Sequence, residues 1–153
     1  MRSLATILVA FTILAGCSRG DHTAPLPTTK VVIDTRNGPA VFTVEVAADP
    51  ASREHGLMER TDLAPDAGML FDFQQPAFET FWMKDTPLSL DMLFIRQDGT
   101  VSTIVANTIP YSEEKIPSSE PVRAVLEING GRAAALGIEP GDKAHASIFG
   151  NRP

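Results

Sequence analysis

The stretch KVVIDTRNGPAVFTVEV, Lys30 to Val46, decides the fold. Val31-Val32-Ile33 and the run from Val41 to Val46 are rich in β-branched residues and flank Asn37-Gly38. Asparagine and glycine both tolerate positive φ, so this pair between two such runs predicts a β-hairpin. In the second run Phe42, Val44 and Val46 alternate with Thr43 and Glu45, which predicts a strand with one buried face.

Toward the C-terminus the pattern continues. Asp49-Pro50 reads as a helix N-cap followed by proline at the first helical position, with Gly56 as the stop. Gly68 to Phe73 is expected as a strand with Met69, Phe71 and Phe73 on one face, and Phe78 to Lys84 as another. Leu90 to Arg96 and Thr100 to Ala106 bracket Asp98-Gly99, a second hairpin. Asn107 to Pro121 is polar and proline-bearing, a long loop over the surface or over a cleft. Val122 to Ile128 is a strand. Gly131 to Leu136 is a short helix ending at Gly137, with Ile138 placed for the apolar contact of a Schellman stop. Glu139-Pro140-Gly141-Asp142 then turns the chain into a last strand, Lys143 to Phe149. The expected fold is mainly β: a compact β-sandwich, jelly-roll-like, or a distorted barrel, with two short peripheral helices.

The chain of 153 residues is long enough for one domain with a real core, and 43% apolar with 21% charged residues is ordinary globular composition. A formal charge of -6 argues against a nucleic-acid partner, which would need a basic patch to displace counterions from phosphate. The one cysteine, Cys17, leaves no intramolecular disulfide and no thiolate metal site.

Its setting gives Cys17 a different meaning. Arg2 precedes an apolar run from Leu4 to Ala15, shorter than the roughly 20 residues a permanent membrane helix needs. Leu14-Ala15-Gly16-Cys17 resembles the lipobox of bacterial lipoprotein signal peptides. The resemblance implies cleavage before Cys17 and a diacylglycerol thioether on it, a tether stable once two or more chains are attached. Ser18, where aspartate typically retains a lipoprotein in the inner membrane, implies the outer membrane, facing the periplasm. Residues 1–16 are thus a signal peptide, 17–29 the lipidated cysteine and a polar, proline-bearing linker that includes His22, and 30–153 a single domain.

Within that domain Gly56-Leu57-Met58-Glu59-Arg60, Gly68-Met69-Leu70-Phe71-Asp72-Phe73 and Phe81-Trp82-Met83-Lys84-Asp85-Thr86-Pro87-Leu88-Ser89-Leu90-Asp91-Met92 stand in order. They are followed by Val125-Leu126-Glu127-Ile128 with Gly130, and by Gly137-Ile138 with Gly141-Asp142. In this order they resemble the domain-of-unknown-function 192 family, also called uncharacterised protein family 0127, across roughly Val41 to Ser147. The resemblance implies a small, mainly β fold like a jelly roll, often exported or lipid-anchored, and no established activity. Asp85 stands where the family usually has asparagine.

The polar residues inside apolar runs are the candidates for chemistry. Alternation puts Asp91 on a face with Leu93 and Ile95, and Glu127 on one with Val125 and Arg123. Each carboxylate, if buried, requires a partner: one of the cations at hand, Lys84, Arg60 or Arg123, or backbone N–H groups whose bonds lock a loop. Trp82 beside Lys84 and Asp85 is either core or the floor of a small pocket. The expected binding site is therefore a cleft near Arg60, Trp82, Lys84, Asp85, Asp91 and Glu127, serving an envelope ligand or protein. Two alternatives stand beside it. One is an envelope enzyme acting on glycan or peptide, with Asp85 or Asp91 and Glu127 as acid and base. The other is a Cu(I) site built from Met58, Met69, Met83 and Met92, with or without Trp82. His55 and His145 lack metal-motif spacing, and no catalytic constellation, metal set or cofactor motif is recognisable.

Overall fold

The computed structural model describes residues 25–151. The signal segment, Cys17, Ser18 and His22 lie outside the described residues. Among the described residues the chain is mainly β, with two short α-helices. Strands β1 (Thr28–Thr35) and β2 (Gly38–Ala47) form the expected antiparallel hairpin. Its tip is one residue earlier than expected, because Thr35 pairs with Gly38 and leaves Arg36-Asn37 at the turn. Gly38 takes the corner at φ 103°, a conformation that glycine adopts without a Cβ clash. Leu26 already packs against the domain, and the Val46 N–H donates to the Pro27 carbonyl at 2.8 Å, so the expected linker is tied down from there onward.

Helix α1 (Pro50–His55) begins with a capping box. The Asp49 carboxylate accepts from the N–H groups of Ala51 and Ser52, and the Ser52 hydroxyl accepts from the Asp49 N–H. Through α1 the chain crosses over to β3 (Ala67–Ala77), which lies parallel to β2. A parallel pair cannot be joined by a tight turn, and this crossover supplies the parallel pair of the sheet. Strands β5 (Leu90–Ile95) and β6 (Val101–Val105) make the second hairpin, and β8 (Val122–Asn129) runs between β3 and β5. Strand β9 (Lys143–His145) pairs with β1 and completes the order β6-β5-β8-β3-β2-β1-β9.

The two edges of this sheet meet at one end. Thr100 bridges to Lys143, and the Val101 and Ala144 N–H groups donate to the Asp142 and Gly99 carbonyls. The sheet is therefore a curled half-barrel, which matches the distorted-barrel expectation. Side chains from both edges, Val101 and Ala144, join Phe42, Leu70, Leu93 and Leu126 in one cluster, which places that cluster on the concave side. Helix α2 (Arg132–Leu136) covers it and ends in the expected Schellman motif. The Ile138 N–H donates to the Ala133 carbonyl at 2.9 Å and the Gly137 N–H to the Ala134 carbonyl at 3.1 Å.

A second cluster on the other face gathers Met69, Phe71, Met83, Met92, Phe94 and Val125. Its cover includes a two-stranded ribbon of β4 (Thr80–Phe81) and β7 (Ile116–Pro117). The expected strand from Phe78 to Lys84 shrinks to β4, because the chain turns at Lys84-Asp85, with Asp85 at φ 52°. The last strand likewise stops at His145. Ser147–Phe149 forms a 3-10 turn that lays Ile148 and Phe149 on the concave core.

Candidate functional site

The register of β8 against its neighbours separates the two candidate carboxylates. Glu127 stands opposite Met69 on β3 and Met92 on β5, whereas Asp91 stands opposite Ile128. Successive strand residues point to opposite faces, so Glu127 belongs with the methionine-bearing cluster and Asp91 with the concave core. The expected acid–base pairing of Asp91 with Glu127 is thereby removed, since a sheet lies between them.

Asp91 is fully buried and fully engaged. Its carboxylate accepts from the N–H groups of Asn107 (2.8 Å), Gly131 (2.9 Å) and Ala133 (2.8 Å). It thus ties β5 to the start of α2 and to the loop after β6, a structural role. None of the cations expected for the two carboxylates reaches either one. Arg60 forms a two-pronged pair with Glu45 at 2.5 and 2.6 Å. Arg123 pairs with Asp72. The Lys84 ammonium lies 5.2 Å from the centre of the Trp82 ring.

Glu127 lines a cleft of about 380 Å³ on the outer face of the sheet. Phe71 and Phe73 of β3, Phe81 and Trp82, and Leu57 and Met58 beyond α1 supply most of its apolar wall. Phe81 organises that wall, edge-on to Phe71 (5.1 Å between ring centres), Phe73 (6.3 Å) and Phe94 (6.0 Å). Only 4% exposed, Glu127 forms no hydrogen bond or ion pair among the described residues. Burial alone pushes its carboxyl up to about 8, so at neutral pH the group is largely protonated.

Two residues that the sequence reading passed over complete the site. Glu79, just before β4, lines the same cleft, and burial raises its pKa while the Arg53 charge draws it partly back. Lys115 reaches in from the loop before β7 and sets its ammonium 3.5 Å from the centre of the Trp82 ring. A carboxylate between Phe78 and Phe81 was a usable signal for Glu79. Lys115 sits in a polar loop that gives none.

Of the six expected site residues, Trp82 and Glu127 line the cleft and Lys84 flanks it through Trp82. Arg60 and Asp91 are engaged elsewhere. Asp85 is exposed, and its carbonyl accepts from the Glu59 N–H at 2.7 Å. Its φ of 52° accounts for the asparagine that the family resemblance expects there, since asparagine is the non-glycine residue best suited to that region. For the copper alternative, Met69, Met83 and Met92 are at most 1% exposed, leaving Met58 alone on the cleft wall. Among the described residues no three His, Cys, Asp or Glu side chains gather into a metal site.

Comparison with known proteins places the chain among relatives of the same shape. A crystal structure from Sinorhizobium meliloti 1021, of a protein proposed to be a transcription regulator, is 47% identical. It has a TM-score of 0.79, and the match covers 82% of this chain and 98% of that one. A protein of unknown function from Novosphingobium aromaticivorans DSM 12444 is 42% identical, with a TM-score of 0.77 and coverage of 82% and 94%. No curated protein sequence matches. The model of the DUF192 family, described as "Uncharacterized ACR", matches residues 31–146, and the chain belongs to that family.

Proposed function

We propose that this protein is an exported, lipid-anchored binding module whose cleft takes a small ligand of the cell envelope. Lipid on Cys17 tethers it, Ser18 directs it to the outer membrane, and the domain faces the periplasm. The observation that carries the binding reading is Glu127, a carboxyl only 4% exposed and without a partner among the described residues, in an aromatic-walled cleft. The Glu127 carboxyl is open to the cleft, so a ligand seated there can reach it directly. The net charge of -6 speaks against extending the regulator role proposed for the Sinorhizobium protein to nucleic-acid binding here.

Native mass spectrometry of the full chain, extracted from membranes in mild detergent, tests the reading. Wild type should retain a small molecule that Glu127→Gln and Trp82→Ala lose without melting at a lower temperature. Identical spectra for all three proteins would sink it. The tether is tested separately: Cys17→Ser should release the protein from the membrane fraction and abolish incorporation of labelled fatty acid.

A further inference from the structure

We propose that the ligand of this cleft carries an ammonium group, which enters along Trp82 and forms an ion pair with Glu127. The inference rests on the binding reading above and adds the chemical class. The surroundings of the Glu127 carboxyl come first. Its cross-strand neighbours are Met69 and Met92, with Phe71 on the same cleft wall, and none of these side chains has a hydrogen to donate. On these three side chains an anionic ligand would find no donor. A cation would find a carboxylate, with aromatic faces near it.

The charged groups around the cleft point the same way. Helix α1 contributes Arg53, Glu54 and His55, the approach to β4 contributes Glu79, and the loop before β7 contributes Lys115. Arg53 is engaged: it donates to the carbonyls of Ala48 (2.5 Å) and Asp72 (3.0 Å) and lies 5.6 Å from the centre of the Phe73 ring. Lys115 and, more distantly, Lys84 are engaged on Trp82, at 3.5 and 5.2 Å from its ring centre. Glu79 and Glu127, by contrast, form no ion pair among the described residues. Glu54 and His55 are exposed on α1, so inside the cleft Glu79 and Glu127 are the groups left to meet an incoming charge.

Lys115 supplies the independent observation. Its ammonium, 3.5 Å from the Trp82 ring centre, occupies the position that a ligand ammonium would take on entry. Lys115 is exposed and stands in a loop, so it is free to swing aside. As the ligand docks, Glu127 releases its proton to solvent and the ammonium takes the proton's place. Binding is then coupled to proton release, and affinity climbs with pH until Glu127 is ionised in the free protein.

Three probes of one shape and different charge test this on the full chain in detergent: benzylamine, benzyl alcohol and phenylacetate. Trp82 is the only tryptophan, so its fluorescence reports occupancy directly. Calorimetry in buffers of different ionisation heat counts protons. Benzylamine should bind at least about tenfold more tightly than benzyl alcohol at pH 7, and release close to one proton at pH 6.5. Its affinity should rise about tenfold from pH 6 to pH 7 and level off near pH 8. Glu127→Gln should remove both the preference and the pH dependence. Lys115→Ala, which leaves the carboxyl in place, should raise benzylamine affinity about threefold by clearing Trp82. Equal binding of the alcohol, preferred binding of phenylacetate, or benzylamine binding indifferent to Glu127→Gln overturns the ammonium class. A Glu127-dependent signal from the alcohol or the acid would then keep the cleft as a binding site. Silence from all three probes overturns the ammonium class and leaves the mass-spectrometric test to decide the cleft.

Discussion

Among the described residues the Asp91 carboxylate forms no ion pair although it is fully buried, because three backbone N–H groups take the place of a cation. Charge-assisted bonds of this kind contribute about 1.5–3 kcal/mol each, and removing the acceptor strands all three donors. Asp91→Ala should therefore cost at least about 4 kcal/mol, read as a lower urea midpoint. Asp91→Asn, which keeps one acceptor oxygen, should cost roughly half of that. Glu127 is the opposite case, nearly as buried but unpartnered among the described residues, so its replacement by glutamine should disturb the fold little. Asp85 is a third kind of residue, held at φ 52° on the surface. Asp85→Asn should leave stability unchanged or raise it by a few tenths of a kcal/mol, whereas Asp85→Ala should lose about 1 kcal/mol in thermal melting. At Asp91 and Asp85 the side chain follows from what the backbone needs; at Glu127 the backbone asks for nothing.

At the scale of elements, Gly68 shows how closely β3 and β8 are fitted beneath the cleft. A Cβ there would stand 2.4 Å from the Glu127 carbonyl and 3.3 Å from Val44, with backbone on the near side that cannot move away. Gly68→Ala should push the two strands apart at Glu127, cost about 2–3 kcal/mol in chemical denaturation, and shift the fluorescence of Trp82. The elements flanking this pair were legible in the sequence because their signals are local: Asn37-Gly38, Asp98-Gly99, the Asp49-Pro50 cap and the Gly137-Ile138 stop. The cleft was legible only in part. Every residue of β5 and all but the last of β8 are buried, so neither strand alternates with solvent, and nothing local says which face Glu127 shares with its neighbours. Register across β3, β8 and β5 decides that, and register is a long-range property. The Phe81-Trp82-Met83 run fits a continuous strand by pattern, because all three residues are large and apolar. In the fold Met83 is buried and Trp82 is half-exposed beside a turn.

The whole molecule should show two pH limbs of opposite origin. On the acid side, Asp98 at the seam of the half-barrel accepts from the Thr100 N–H (3.0 Å), from Lys143 (2.9 Å) and from the Thr100 hydroxyl (2.9 Å), which hold its pKa down to about 2. A depressed carboxylate favours the folded state above its unfolded value, and that contribution is lost as pH falls toward 2. Glu127 acts in the other direction. Its folded pKa is raised to about 8, so between the ordinary glutamate value of 4.5 and 8 the native state binds a proton that the unfolded chain has released. Stability contributed in this way is complete below 4.5 and declines by up to about 1.4 kcal/mol per pH unit until Glu127 ionises. Glu127→Gln cannot ionise, while every other titrating group is common to both proteins and cancels in their difference. The two stability curves, measured by urea unfolding from pH 5 to pH 9, should therefore diverge steadily in favour of the variant and run parallel above about pH 8. Curves parallel from pH 5 upward would mean that Glu127 is ionised in the folded protein throughout. The cleft would then hold a standing negative charge, and an ammonium ligand would bind without releasing a proton.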